Sequence, residues 1–221
     1  MGTETTIACQ GVRRAYHTDQ EVVWALWDVD ARADAGQITV LAGPSGSGKS
    51  TLLRVMAGID RPDSGRVEVA GKELTTMSAG ARRRFRAKNM GYLFQDPAAN
   101  LLSYLTVWEH LQMVGKIRGA APAKDLLAHL EIEDLADEQP ARLSAGQQQR
   151  AALAAAMVGA PDVILADEPT AELDNQSAHL AVAALTRLRA LGATLIVTSH
   201  DQEVVQVADR LIHLEHGVVR H

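Results

Sequence analysis

The sequence predicts an α/β fold with a mainly parallel sheet, a small antiparallel β region at its start and a helical insertion. Three observations support this: short apolar runs alternate with helical patterns, two of those runs are apolar almost throughout, and the stretch from about 96 to 159 has no strong strand pattern. Strands that are apolar on both faces are typical of parallel sheets covered by helices. We therefore predict one domain over residues 1–221, with a core at about 1–95 and 160–221 and a helical subdomain at about 96–159.

The N-terminal part of the chain differs from the rest. Residues 7–29 and 66–69 suggest short antiparallel strands, with a turn at 62–65. The first parallel strand, residues 37–42, runs directly into a glycine-rich loop, and residues 49–58 have the pattern of the helix that follows. A strand followed by a loop and a helix is the repeating unit of a parallel sheet.

Two further strands follow the helical stretch. Residues 162–167 are almost all apolar and end in acid, and residues 193–198 repeat that pattern just before His200. The helix between them, at about 175–191, is followed by Gly192, a residue type suited to a helix C-terminus. These strands complete the predicted parallel core.

Composition argues against several functional classes. The chain has 221 residues, is 47% hydrophobic and 22% charged, and has a formal net charge of −5. This mild acidity argues against a general nucleic-acid binder, which neutralises phosphates with Lys and Arg. The single cysteine, Cys9, cannot form an internal disulfide, which favours a reducing cytosol. No apolar run approaches the ~20 residues that span a bilayer, so a location at a membrane would depend on another polypeptide.

The loop after the first parallel strand matches the pattern G-x-x-x-x-G-K-[ST] of a phosphate-binding P-loop. Glycines let successive backbone N–H groups surround an anion, and the helix that begins near Lys49 directs its positive end at the phosphates. We expect Lys49 to reach the β- and γ-phosphates, Ser50 to ligate Mg²⁺ and Thr51 to contact the α-phosphate. A purely structural turn is the disfavoured alternative. The predicted nucleotide-binding residues are Gly43, Pro44, Ser45, Gly46, Ser47, Gly48, Lys49, Ser50 and Thr51.

Two acids end the strand at 162–167. An apolar strand that delivers Asp167 and Glu168 to the carboxyl edge of a sheet suits a metal–nucleotide site. Asp167 would hold Mg²⁺ directly or through water, and Glu168 would polarise the water that attacks the γ-phosphate. Alone, this acidic pair would more often be an ordinary exit from a sheet; beside the glycine loop, the functional interpretation is favoured.

Residues 143–150, Leu-Ser-Ala-Gly-Gln-Gln-Gln-Arg, resemble the signature sequence of the ABC-type ATPases. The resemblance covers essentially the whole chain and implies a P-loop NTPase core and a homodimer that sandwiches ATP, with the loop of one copy facing the signature of the other. It implies that Ser144, Gly146 and Gln147 contact the γ-phosphate of ATP on the partner copy.

The same resemblance assigns further roles. Tyr16 lies where the family places an aromatic that stacks on adenine, Gln95 resembles the glutamine that touches Mg²⁺ and the attacking water, and His200 resembles the switch histidine at the γ-phosphate. Residues 172–174 look like the D-loop that links the two sites. The structural alternatives are a half-buried strand aromatic for Tyr16, a surface glutamine for Gln95 and an ordinary core or surface histidine for His200. The implied catalytic set is Glu168, His200, Gln95 and Lys49, and the implied metal set is Ser50, Gln95 and Asp167.

Two residues depart from the family pattern. Ala145 stands where the signature usually has glycine, which bears on the rate of hydrolysis and not on the assignment. Ala155 takes the place of an arginine common in the following helix. Helix propensity is preserved there, and a family salt bridge is expected to be absent.

Two other segments have alternative interpretations. The basic run 82–88 suits either a nucleic-acid or lipid-headgroup patch or a solvated helix face, and we favour the solvated face. The stretch 101–108 is placed to line a groove for a helix of a membrane subunit, or to form the core of the helical subdomain.

Finer resemblance, carried by residues 45–53, 58–62, 105–110 and 166–170, indicates the export-type branch that includes lipoprotein-release and macrolide-efflux ATPases. It implies an ATP-hydrolysing subunit that powers separate transmembrane permease subunits through ATP-driven dimerisation. Such a subunit would be cytoplasmic and peripheral at the inner face of the cell membrane, with no nucleic-acid partner. The alternative is a soluble ABC ATPase, for example in iron–sulfur assembly. A small P-loop kinase would not explain the signature, Gln95 and His200 together.

Overall fold

A computed structural model of the protein describes residues 5–17, 21–122 and 124–220. The ends of the predicted domain, Met1 and His221, lie outside the described residues. The strands are β1 Thr5–His17, β2 Val22–Asp34, β3 Ile38–Ala42, β4 Ser64–Val69, β5 Lys72–Glu73, β6 Met90–Leu93, β7 Val163–Asp167, β8 Leu195–Thr198, β9 Arg210–Glu215 and β10 Val218–Arg220. The α-helices are α1 Lys49–Met56, α2 Ala79–Asn89, α3 Val107–Arg118, α4 Asp125–His129, α5 Ala145–Met157, α6 Asn175–Ala190 and α7 Gln202–Gln206.

The larger sheet has the strand order β10-β9-β3-β8-β7-β6. Its neighbours from β9 to β6 pair in parallel, and β10 is antiparallel to β9. All five residues of β3 and all four of β8 are buried, because helices cover both faces. The prediction of a mainly parallel sheet is confirmed, with strands one or two residues shorter at their N-terminal ends than expected.

The smaller sheet is antiparallel, with the order β2-β1-β4-β5. Its two longest strands have 13 residues each, in contrast to the short strands expected from the sequence. Several register shifts between β1 and β2, together with Asp28 at φ 54°, allow one long, bent pair where the sequence pattern suggests interrupted strands. The buried side of this sheet packs against α1.

Cys9 lies on that buried side of β1. Its side chain is 1% exposed among the apolar residues of β2, β4 and α1. Burial raises the pKa of the Cys9 thiol to about 12. The thiol is therefore protonated at neutral pH.

The region between β6 and β7 consists of helices and loops. It contains α3, α4 and α5; a 3₁₀ turn, Pro97–Asn100, precedes α3, and two more, Glu133–Leu135 and Pro140–Arg142, lie between α4 and α5. Arg118 connects this region to the main sheet, because its guanidinium donates to the carbonyls of Ala156, Val158 and Met90. No helix in the described ranges is long and apolar enough to cross a membrane.

The basic run 82–88 lies in α2 and is only partly solvated. Arg82 and Arg86, one helical turn apart, are half-buried and donate to the carbonyls of Met77 and Gly58. Burial lowers the pKa of Arg86. Arg83, Arg84 and Lys88 are exposed, so the favoured solvated face describes one side of this helix.

Candidate active site

The glycine loop connects β3 to α1 and follows the backbone geometry that its glycines permit. Gly48, the N-cap of α1, has φ 101°, and a Cβ there would lie 2.4 Å from the carbonyl oxygen of Ala25. Gly43 has φ 147°, and a Cβ there would lie 2.1 Å from the carbonyl oxygen of Leu214. Both positions require glycine, because the backbone is in a left-handed or mirror region and a neighbouring strand or turn passes close by. The loop is thereby closed against β2 and β9.

Lys49 turns back over this loop. Its Nζ donates to the carbonyl oxygens of Gly43 at 2.8 Å and Pro44 at 3.0 Å, and it lies 3.5 Å from Glu168 Oε1. The side chain is 6% exposed. The ammonium group is therefore fixed between the loop and the end of β7, where a phosphate bound by the loop would meet it.

Asp167 is the centre of a hydroxyl cluster at the end of β7. Its Oδ1 accepts hydrogen bonds from Ser50 Oγ at 2.8 Å and from Thr198 Oγ1 at 2.7 Å. Gln95 lines the same cavity as Ser50. Hydroxyl, carboxylate and amide oxygens are the donors that Mg²⁺ prefers, so the residues predicted to hold this ion fit it chemically.

Glu168 follows directly and has an unusual backbone conformation for a non-glycine residue, φ 45°. Such a conformation costs on the order of 1–3 kcal/mol and requires support from its surroundings. That support comes from Thr198, whose Oγ1 and carbonyl oxygen both accept from the Glu168 N–H. The Glu168 side chain is 13% exposed, and its Oε2 accepts a hydrogen bond from His200 Nδ1 at 3.0 Å.

The Gln95 segment, residues 94–96, follows β6 and is held in place by hydrogen bonds with the Asn100 side chain. The Asn100 side chain accepts from the Phe94 N–H and donates to the carbonyls of Phe94 and Asp96. Asp96 in turn caps the 3₁₀ turn that begins at Pro97. Gln95 is exposed at this fastened bend, at the rim of the cavity.

Tyr16 lies beside the loop and not in the cavity lining. Its hydroxyl donates to Asp60 Oδ2 at 3.2 Å and lies 3.5 Å from Thr51 Oγ1, and the Arg14 guanidinium lies over its ring. Arg54 donates twice to Asp60, and this bond holds the pKa of Asp60 below its ordinary value. The ring remains partly exposed next to the loop, where a base attached to a bound nucleotide could stack on it.

One cavity of about 450 Å³ unites most of the predicted residues. It is lined by Ala25, Pro44, Ser45, Gly46, Ser47, Gly48, Lys49, Ser50, Thr51, Gln95, Glu168, Ala171 and His200. Asp167 adjoins it through Ser50. The loop, the Gln95 segment, the end of β7 and the end of β8 thus meet at the carboxyl edge of the sheet, as in other open α/β sheets.

The signature segment lies elsewhere. Ser144 is the N-cap of α5: its Oγ accepts from the Gln147 N–H, and the Gln147 side chain accepts from the Ser144 N–H. This capping box orders the first turn of the helix. Among the described residues that line the cavity, none belongs to this turn, so Ser144, Gly146 and Gln147 are not brought to the loop of their own chain.

Two positioning residues were missed by the sequence analysis. Thr198 was assigned only to a strand, although an apolar strand that ends in a hydroxyl next to an acidic strand end is a usable signal. Asn100 had no signal in the sequence, because its role depends on the bend that it fastens.

A parallel sheet with a glycine loop, two acids at a strand end and a capped signature helix defines the class of ATP-hydrolysing cassettes. Comparison with known proteins agrees: the family model described as "ABC transporter" matches residues 26–171. The chain belongs to the ABC transporter family.

Individual relatives agree with this membership. The macrolide export ATP-binding/permease protein MacB of Rhodopseudomonas palustris is 38% identical over 97% of the chain, which covers 33% of that protein. The chain thus spans about a third of the length of the curated relatives that it matches. The resemblance to macrolide-export proteins, predicted from the sequence, is confirmed by these relatives.

Solved structures also match. A dimer of the ATP-binding cassette MJ0796 in a post-hydrolysis state with ADP and Pi has a TM-score of 0.86 and 30% identity, with 97% of both chains covered. A second dimeric structure of MJ0796, described as a bacterial ABC transporter cassette, has a TM-score of 0.85 and 30% identity, again with 97% of both chains covered. The predicted fold class is confirmed.

Proposed function

We propose that this chain binds ATP in the glycine-loop cavity and hydrolyses it within a pair of cassettes that drives a membrane-embedded permease. The observation that carries this proposal is the division of the predicted site. Lys49, Gln95, Glu168 and His200 share one cavity, whereas the capped start of α5 lies outside it. A contact from Ser144 to the γ-phosphate must then come from a second copy.

The cavity supplies the groups that phosphoryl transfer needs. The loop N–H groups and Lys49 Nζ would bind the phosphates, and the Glu168 carboxylate would accept a hydrogen bond from the attacking water. His200, which is bonded to Glu168 at 3.0 Å, would donate to the γ-phosphate once ATP separates the two side chains. Tyr16 would stack on the adenine.

Ser50, Asp167 and Gln95 would hold Mg²⁺. When bound, this ion neutralises charge on the phosphate oxygens. Thr198 would keep the Asp167 carboxylate oriented toward Ser50, because its hydroxyl is buried and donates to the same oxygen.

Closure of the pair is the step that does work. ATP between the loop of one copy and the first turn of α5 of the other stabilises the closed pair, and hydrolysis removes the bridging γ-phosphate. The capping box leaves the Ser144 hydroxyl proton free to donate, since Ser144 Oγ acts there as an acceptor.

A permease helix would dock beside the Gln95 segment. Leu101 and Val107 are buried in the core of the helical region, so these members of the 101–108 stretch are not available to line a groove. Leu102 and Tyr104 are exposed, and so is Phe94 next to Gln95. These three side chains offer the apolar surface.

The MacB relatives carry the name of export permeases, which supports an export-type role and a place at the inner face of the membrane.

The test uses Glu168→Gln as a trap. This change keeps size and polarity but removes the charge that activates water, so hydrolysis should fall by about 10²–10⁴-fold while ATP binding remains. The tagged variant is expressed in its native cell, membranes are solubilised gently with ATP present, and the co-purified proteins are identified. A stoichiometric multi-span membrane protein is expected.

The matched control is Lys49→Ala combined with Glu168→Gln, which should lose ATP and release the partner. Hydrolysis by Glu168→Gln at the wild-type rate would contradict the catalytic assignment. A stable ATP-dependent dimer that recovers only soluble proteins would contradict the coupling to a permease and favour a soluble role.

A further inference from the structure

Gly146, in the first turn of α5, has no conformational reason to be glycine. Its backbone is helical and it is not among the glycines with positive φ. Alanine is the best helix former and would ordinarily be preferred in that position. The reason must therefore lie in what surrounds it.

The neighbour that excludes a side chain is Ser177 of α6. A Cβ on Gly146 would lie 2.7 Å from both Cβ and Oγ of Ser177, and 3.5 Å from its Cα. Contacts below 3.0 Å do not occur between real Cβ atoms and their neighbours. By contrast, the preceding Ala145 is exposed, so its methyl group meets no such obstacle within the chain.

Ser177 cannot move aside easily. Its N–H donates to Asp174 Oδ1 at 2.9 Å, and its hydroxyl donates to Asp174 Oδ2 at 2.8 Å. The same hydrogen bonds hold the pKa of Asp174 below its ordinary value, so the carboxylate that fixes Ser177 stays ionised at neutral pH. Asp174 is also the N-cap of α6.

We propose that Ser177 is a positioning residue for the first turn of α5: its fixed side chain sets how closely this turn lies against α6, and Gly146 is glycine to allow that approach. The proposal rests on the proposed function, in which the first turn of α5 contacts ATP bound to a second copy. Ser177 thereby connects the 172–174 segment, through Asp174, to the group that approaches the γ-phosphate.

The test adds a methyl group at position 146 and then removes the side chain at position 177. Gly146→Ala should lower kcat for ATP hydrolysis by about 100-fold, because a displacement of about 1 Å at a reacting group has an effect of that size. Binding of a fluorescent ATP analogue to the monomer should not change, because the loop cavity is elsewhere. Adding Ser177→Gly removes the opposing Cβ and should recover most of the loss.

Ser177→Ala in the Gly146→Ala background is the matched control. It removes the same hydroxyl but keeps the Cβ at 2.7 Å, so it should not recover activity. Glycine is a poorer helix former than alanine, so any recovery by Ser177→Gly would occur in spite of its own weakening of α6. Equal activity of the two double variants, or full activity of Gly146→Ala, would overturn the proposal.

Thermal unfolding gives a second readout that does not require hydrolysis. Gly146→Ala should lower the melting temperature, the addition of Ser177→Gly should raise it again and the addition of Ser177→Ala should not. An unchanged melting temperature of Gly146→Ala, or failure of that recovery, also overturns the proposal. If Glu168→Gln forms no dimer with ATP, the proposed function fails, and the melting temperatures still decide whether Ser177 sets the position of α5.

Discussion

The glycine-loop side and the signature side of this cassette are ordered in opposite ways. On the loop side, Lys49 bonds two carbonyls of its own loop, and Asp167 accepts two hydroxyls from neighbouring elements. On the signature side, the polar groups of Ser144 and Gln147 bond each other in a local capping box. The first side is assembled from distant parts of the chain; the second is one helix turn.

This difference indicates which substitutions should affect which step. The loop side is assembled by a single chain, so substitutions there should weaken ATP binding by the monomer. In the proposed function the signature side acts on a second copy, so substitutions there should leave ATP binding by the monomer unchanged and slow hydrolysis. Parallel measurements of binding and hydrolysis therefore test the comparison directly.

The largest effect should come from Gly48→Ala on the loop side. The new Cβ would lie 2.4 Å from the Ala25 carbonyl at a φ of 101°. Strain of about 3 kcal/mol would lower ATP affinity by about 100-fold. Gly46→Ala is the control: its φ is 76°, but nothing lies within 4 Å of the added Cβ, so titration with ATP should show a smaller loss. Equal losses of ATP affinity would mean that the backbone conformation, and not the close contact with Ala25 of β2, is what requires glycine in this loop.

Thr198→Val should have the next largest effect and separates orientation from binding. The change removes the hydroxyl that donates to Asp167 and accepts from Glu168, and leaves a buried N–H with a weakened partner. We expect a loss of about 2 kcal/mol in the free energy of unfolding and about tenfold in kcat. Thr198→Ser keeps the hydroxyl, so its free energy of unfolding in urea and its kcat for phosphate release should both stay near the wild-type values.

Ser144→Ala tests the signature side. Loss of the helix N-cap should cost about 1 kcal/mol of stability, and hydrolysis should fall by about tenfold with monomer ATP binding unchanged. Ser78→Ala removes the comparable N-cap of α2, where Ser78 Oγ accepts from the Ala81 N–H. If Ser78→Ala slows hydrolysis equally, the effect of Ser144 is one of stability.

The smallest effect is expected at Asp60, which fixes Tyr16 beside the loop. The bond from Arg54 lowers the pKa of Asp60 in the folded state, so its stabilisation is present above the unfolded pKa and is lost as pH falls through the folded pKa. Since the pair is partly exposed, Asp60→Asn should cost below about 1 kcal/mol near neutral pH. The difference from wild type should shrink as urea unfolding is repeated below about pH 4; a difference that grows would contradict the sign.

The features predicted well from the sequence are those with local causes. The glycine loop is a contiguous pattern, and β3, β7 and β8 are apolar runs whose burial on both faces leaves a clear trace. The convergence of Lys49 and Glu168 follows from parallel strands ending at one edge. Their spacing of 3.5 Å required the structure.

The features that were missed have causes far away in the sequence. Thr198 became a support for Glu168 only because β8 pairs with β7. Gly146 was predicted as a phosphate contact, and its packing against Ser177 depends on how α5 and α6 cross. The length of β1 and β2 depends on bulges, which a strand pattern does not reveal.

Cys9 makes the natural chain convenient for site-specific labelling. Because its thiol is buried and protonated, it should react very slowly with a maleimide at neutral pH. A cysteine placed at the exposed position of Tyr104 would then be the one that accepts a dye. Distances between dyes on two cassettes could follow their approach in real time without first replacing the native thiol.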